Sequence, residues 1–291
     1  IEPVVAFLSG EPRQGRIGIG HAALSAVSRA TQAPVGPSLT ILDVDAAFDA
    51  IATVSGAGSS QIRPEALGAL FSRASDAERD FLRRLLYGEL RQGALEGVVV
   101  EAIAKAAGLP SAKVRRGVMM SGNLGVAARA ALVGGAAALD ALGVRLMHPV
   151  RPMLADSADD VDQALGEIGG ASLEYKLDGA RIQIHKAGDD VRLYSRTLND
   201  VTPSAPEIVS LVRALPAREA IFDGEAIALT PDGTPRPFQV TMRRFGRTRG
   251  VAALQEHLPL TPFLFDCLYL DGTSLIDDTQ ERRVAALRGV A

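Results

Sequence analysis

The stretch Ser172-Leu173-Glu174-Tyr175-Lys176-Leu177-Asp178-Gly179-Ala180-Arg181 decides how the rest of the chain is read. As a strand with period two, it points Leu173, Tyr175 and Leu177 to one face and Glu174, Lys176 and Asp178 to the other. Gly179 removes a side chain where a ligand could approach the backbone, and Arg181 adds a planar, permanently charged donor suited to phosphate or sugar oxygens. A half-buried strand with a charged solvent face explains the alternation equally well, so the remaining residues have to separate the two readings. Only Lys105, Lys113, Lys176 and Lys186 among the 31 basic residues are lysines, which makes a lysine inside this charged face informative.

Outward from that stretch, the 291 residues exceed the usual size of a single core, and two domains are expected. With 47% apolar and 22% charged residues the composition is that of a globular protein. No apolar run is long enough for a membrane helix and no signal segment opens the chain, so the expected compartment is the cytoplasm. The net charge of -3 excludes binding of nucleic acid by bulk charge and leaves only local patches. Cys267, the lone cysteine, lies in the apolar run from Phe263 to Leu270 and reads as a buried structural thiol. His21, His148, His185 and His257 have no metal-ligand spacing.

The first half carries helix signals throughout. Asp43 opens an apolar helical pattern through Phe48, Ile51 and Ala52, Ser75 with Glu78 forms a capping box, and a further helix is expected from Ala94 to Ala107, stopped by Gly108 and Pro110. Ser111 and Asn123 are further N-cap candidates, and residues 127–142 are helical apart from Gly134-Gly135. A repeat at an offset of 78 residues relates Phe7 to Gly15 with Leu85 to Gly93. It has two readings. Either both copies are helix C-caps, or their glycines leave backbone N–H groups bare and, with Arg13 and Arg91, hold phosphates of a nucleic acid.

His148-Pro149-Val150-Arg151-Pro152-Met153-Leu154-Ala155 breaks the helical pattern, because each proline pushes its predecessor towards extended backbone. Beyond it the pattern is of strands: Ile182 and Ile184 alternate with Gln183 and His185, Gly188-Asp189-Asp190 turns, and Val191 to Arg196 returns as a hairpin partner. Phe222 to Leu229 is apolar on both faces and should be central, so Asp223 and Glu225 within it need a partner, either a nearby arginine or a metal.

Lys176-Leu177-Asp178-Gly179-Ala180-Arg181 resembles the K-x-D-G-x-R motif of the covalent nucleotidyltransferases, a superfamily of DNA ligases, RNA ligases and mRNA capping enzymes. Phe222 to Leu229 resembles motif III, Ser195 to Thr202 motif Ia and Phe265-Asp266 motif IIIa of the same superfamily. The joint at 148–155 resembles the one that links a helical DNA-binding domain to the catalytic core in ATP-dependent DNA ligases. Together these resemblances imply an ATP-dependent DNA ligase: an all-α DNA-binding domain over 1–148, then an α+β nucleotidyltransferase domain over 149–291, ATP-grasp-like with antiparallel sheets.

The resemblance assigns Lys176 as the lysine that carries AMP, with ATP and Mg2+ as cofactors and nicked duplex DNA as partner of a monomer. It gives Glu174, Arg181, Glu225 and Phe265 to the nucleotide, Asp178 and Glu225 to the metal, and Arg196, with Arg13 and Arg91, to DNA. Motifs IV and V and the C-terminal OB domain are not in the chain, which implies a fragment with the adenylation domain incomplete at its C-terminus. Two alternatives stand beside this: a DNA-binding or partial nucleotide-binding module without ligase activity, and an RNA ligase or capping-type enzyme.

Overall fold

The computed structural model describes the chain except for Arg16, residues 30–33, Val35, Pro37, residues 91–94, Leu154, Thr248 and Arg249. Two compact units result, one of residues 1–118 and 123–142, the other of residues 119–122 and 143–291. Among the described residues no helix is long and apolar enough to cross a membrane.

The first unit is helical: α1 (Glu2–Leu8), α2 (His21–Arg29), α3 (Ile41–Thr53), α4 (Ser59–Arg73), α5 (Asp76–Tyr87), α6 (Leu95–Ala107), α7 (Ser111–Ser121), α8 (Leu124–Arg129) and α9 (Gly135–Asp140), the last two separated by a π turn at Ala130–Gly134. The cap expected on α5 forms, with Glu78 accepting from the Ser75 N–H at 2.8 Å while Ser75 Oγ caps the Glu78 N–H. Thr40 and Asp43 make the same reciprocal cap on α3. Asn123 caps α8 through a 3.1 Å bond from the Val126 N–H. Two clusters form the core, one around Phe48, Phe71 and Leu82 and one around Val114, Val118 and Ala127. Helix α1 serves both, Phe7 entering the first cluster and Val5 the second.

The repeat resolves into two helix ends of one kind. Gly10 and Gly88 are left-handed, with φ of 81° and 69°. The next N–H in each copy reaches back five residues, Glu11 to the Ala6 carbonyl at 3.1 Å and Glu89 to the Arg84 carbonyl at 2.8 Å. That is the Schellman pattern, in which the donors are spent on the helix itself. Of the two readings of the repeat, the described residues fit the helix C-caps: these N–H groups cap α1 and α5.

The second unit is built on a five-stranded sheet of β1 (Ala180–Ala187), β2 (Asp190–Ser195), β3 (Glu219–Ala228), β4 (Leu260–Leu270) and β5 (Thr273–Ser274). The order is β2-β1-β3-β4-β5 and every neighbouring pair is antiparallel. Helices α10 (Val161–Ile168), α11 (Pro206–Arg213), α12 (Phe238–Phe245), α13 (Val251–His257) and α14 (Gln280–Arg288) complete it. β1 and β2 form the expected hairpin, Ala187 pairing with Asp190 across Gly188-Asp189 and Gly188 taking φ 59°. β3 is central, as its two apolar faces require. Ile182, Ile184, Phe222, Ala226 and Ala228 pack with Ile208 and Val212 of α11, Phe245 of α12 and Leu287 of α14. Lys186 is buried, and its Nζ donates to the carbonyls of Val212, Arg213 and Leu215, so this lysine caps the C-terminal end of α11. Cys267 is fully buried as expected, and burial pushes its thiol up to about 11.

The strand expected over 172–178 does not form. β1 starts only at Ala180, which pairs with Ala226, and β3 gives its other edge to β4. Residues 172–178 would continue β1 backwards past Ala180, but β3 ends at Ala228, two residues beyond Ala226, and β2 ends at Ser195 opposite Ile182, so the paired strands run out there. Leu173 and Tyr175, the intended inward face, are 82% and 96% exposed.

Candidate active site

Residues 173–181 run along one side of a cavity of about 930 Å3 within the second unit. Glu174, Lys176, Asp178, Arg181, Arg196, Glu225 and Phe265 all line it, so seven of the residues chosen from sequence meet in one place. Arg196 arrives on the turn after β2, between Ser195 and Thr197, where Leu198 takes φ 63°.

The sheet register explains the carboxylate geometry. Arg181 pairs with Glu225 and Gln183 with Asp223, which puts Arg181, Gln183, Asp223 and Glu225 on the face opposite the apolar core. Asp223 is only 6% exposed, and Arg181 Nη2 reaches its Oδ2 at 2.7 Å. Burial still raises the Asp223 carboxyl above its usual range, with Arg181 working against it. Of the two partners considered for these acids, Asp223 therefore takes the arginine. Glu225 faces the cavity, half-buried, with Oε1 accepting from the Gly179 N–H at 3.2 Å. Its carboxyl is also raised, first by burial, with Asp178 adding repulsion and Lys176 and Arg181 opposing.

Gly179 has a different role from the one expected. A Cβ there would stand 2.5 Å from the Ala226 carbonyl oxygen and 2.9 Å from Glu225 Cγ. The missing side chain makes room for β3, not for a ligand, and the close approach lets the Gly179 N–H hold Glu225. Lys176 Nζ donates to the Leu177 carbonyl at 3.1 Å and is otherwise open to the cavity. Glu174 accepts from Gln280 Nε2 at 3.0 Å.

Phe265 is aimed by an irregularity. Asp223 pairs with Asp266 but Gly224 with Leu264, so Phe265 is left out of the β3–β4 register. Such a bulge re-aims a side chain, and here it delivers the ring to the cavity. The sequence reading missed the facing apolar residues Phe238, Met242 and Phe245, which stand at i, i+4 and i+7 of α12 and also line the cavity. That helical spacing was the available signal.

One candidate is elsewhere. Arg13 lies in the helical unit and is held by Asp45 at 3.0 Å and by Asp49, with Gln14 bonded to the same two acids. Its guanidinium is engaged by these carboxylates, with which a phosphate would have to compete. Arg91 lies outside the described residues.

Among the described residues no three His, Cys, Asp or Glu side chains gather to hold a metal by themselves. Asp178 and Glu225 nevertheless fit magnesium, which takes one or two carboxylates and completes its shell with water and substrate phosphates. The repulsion between these two acids is what a divalent cation would relieve.

Compared with known proteins, residues 152–291 match the family described as ATP dependent DNA ligase domain, and residues 18–104 match DNA ligase N terminus. A probable DNA ligase of Anaeromyxobacter sp. (strain Fw109-5) is 55% identical over 282 residues, which is 97% of this chain and 54% of the relative. One from Sorangium cellulosum (strain So ce56) is 52% identical over 98% of this chain and 54% of its own length. One from Rhodococcus jostii (strain RHA1) is 53% identical over 100% of this chain and 57% of its own length. The chain spans about half the length of the curated relatives it matches.

Proposed function

We propose, from the premise that this chain belongs to the ATP-dependent DNA ligases, that its second unit forms the lysyl-AMP intermediate by which such a protein seals nicked duplex DNA. The RNA-ligase and capping readings are set aside, because both family matches are to DNA ligases. The observation that carries the proposal is the meeting of Lys176, Glu174, Asp178, Arg181, Arg196, Glu225 and Phe265 around one cavity.

In its neutral form the Lys176 amine attacks the α-phosphorus of ATP. The new N–P bond forms as the bond to the bridging oxygen breaks, and pyrophosphate leaves. A 5′-phosphate oxygen at the nick then takes the AMP and frees the lysine; the 3′-hydroxyl displaces AMP and closes the strand. Glu174 and Phe265 recognise the base, by hydrogen bonding and by stacking, and Glu225 the ribose. Arg181 and Arg196 stabilise the charge on the reacting phosphates. Magnesium held by Asp178 and Glu225 would neutralise charge on the triphosphate. We assign residues 1–148 to duplex binding and 149–291 to adenylylation, in a protein that works as a monomer in the cytoplasm, where ATP is supplied.

Incubation with α-labelled ATP and magnesium, followed by a denaturing gel, tests this. Label should stay with the protein, and Lys176→Arg should abolish it, because guanidinium remains protonated and offers no free lone pair. Label retained by Lys176→Arg would refute the assignment.

A further inference from the structure

The apolar side of the cavity hangs from one buried ion pair. Arg244 of α12 is 1% exposed, and its Nη2 donates to Glu207 Oε1 of α11 at 2.7 Å. The same Oε1 accepts from the Leu260 N–H, at the first residue of β4, at 2.9 Å. Arg244 Nη1 donates in turn to the Ser204 carbonyl, just ahead of α11. One carboxylate oxygen thus joins α11, α12 and β4. A second tie runs from the Ala228 N–H at the end of β3 to Thr241 Oγ1 of α12, at 3.2 Å. The joined elements carry four of the cavity's apolar residues: α12 brings Phe238, Met242 and Phe245, and β4 brings Phe265 five residues after Leu260.

A buried pair is a weak way to gain stability, since apolar side chains of similar volume commonly do as well. What the pair supplies is direction. The planar guanidinium reaches Glu207 Oε1 through Nη2 and the Ser204 carbonyl through Nη1 together in one orientation of α12, whereas apolar contacts tolerate sliding and rotation.

We propose that Arg244 and Glu207 are positioning residues for the nucleotide, setting where the α12 wall and Phe265 stand relative to each other. The inference rests on the reading of this cavity as the ATP site.

The test measures melting temperature and ATP affinity, by calorimetry without magnesium, for the 291-residue chain and its variants. Arg244→Met and Glu207→Met should each lower the melting temperature, because each leaves a lone buried charge. The double variant should regain it. ATP affinity should not return with it: the dissociation constant of the double variant should stay raised by about fivefold or more, since small misplacements in a site cost up to about a hundredfold. A double variant that binds ATP like the parent would overturn the proposal and leave the pair a packing element. Should the double variant not fold, Arg244→Lys decides, because an ammonium can meet Glu207 but lacks the fork that also reaches Ser204. Weakened ATP binding in that folded variant supports the proposal, and parental binding overturns it. Phe265→Ala is the control on the premise: parental ATP affinity there would mean that the cavity is not the nucleotide site, whatever the ion pair does.

Discussion

Lowering the pH should weaken the second unit through one imidazole. His185 is fully buried, and its Nδ1 accepts from the Met147 N–H at 3.0 Å. The ring proton therefore sits on Nε2, which donates to Gln183 Oε1 at 3.0 Å. The Tyr194 ring stands edge-on to it at 5.0 Å, and Tyr194 Oη donates to the Met147 carbonyl. A second proton would place an N–H against the Met147 N–H, donor facing donor. Burial, with a smaller push from His148, lowers this imidazole to about 3. Between the ordinary histidine value near 6.5 and that value, the unfolded chain binds a proton that the folded chain refuses, so stability falls as pH falls. At about 1.4 kcal/mol per unit, the loss is about 2 kcal/mol at pH 5 and about 3.5 kcal/mol at pH 4. Above about pH 6.5 the term is constant. Urea unfolding followed by circular dichroism across this range, in parallel with His185→Gln, isolates it, because carboxylate contributions are common to both proteins and cancel in the difference. The variant should lose stability at neutral pH, and that deficit should shrink by about 2 kcal/mol on going to pH 5. Parallel curves for the two proteins would refute the neutral, singly protonated imidazole.

Three other perturbations have definite outcomes. Phe265→Ala should weaken ATP binding by about 1 to 3 kcal/mol while DNA binding changes little, because stacking on the base is lost; equal losses for both ligands with a lowered melting temperature would mark Phe265 as core only. Gly179→Ala should destabilise the second unit by about 1 to 3 kcal/mol and cut lysyl-AMP formation, since the added methyl meets the Ala226 carbonyl and displaces Glu225; a variant with parental melting temperature and labelling would show that the strand moves aside freely. Arg13→Ala should leave the salt dependence of duplex binding unchanged, because its donors are already on Asp45 and Asp49; a slope smaller by about 0.9 would mean that Arg13 leaves them for a phosphate.

The cleft residues were legible because their signal is local. A lysine, an aspartate and an arginine at fixed spacing before a strand, and two acids in an apolar strand, can be read without knowing what lies opposite. Pairing cannot. Residues 172–178 carry a clean alternation, yet whether they become a strand depends on how far their neighbours run, and β3 ends at Ala228 and β2 at Ser195. The same holds for Asp223, whose need for a partner was visible while its identity followed only from the register that sets Arg181 beside Glu225 and Gln183 beside Asp223. Helix α12 escaped because Pro231, Asp232, Gly233, Pro235 and Pro237 crowd the approach to it with turn residues, and its eight residues leave a short window for a period to show.

The helical half separates the two kinds of information further. A left-handed glycine just past a helix end, followed by a residue whose N–H can reach back, specifies a Schellman cap by backbone chemistry alone, and Gly10 and Gly88 both obey it. An anion site needs donors that nothing else has taken, and occupancy is a tertiary property. Asp45 and Asp49 are remote from Arg13 in sequence but one turn apart on α3, so both carboxylates project from one helix face towards the same guanidinium. A repeat can therefore preserve the turn while saying nothing about what the arginine beside it binds. Any duplex contact made by residues 1–148 has to come from donors that carboxylates have not already claimed.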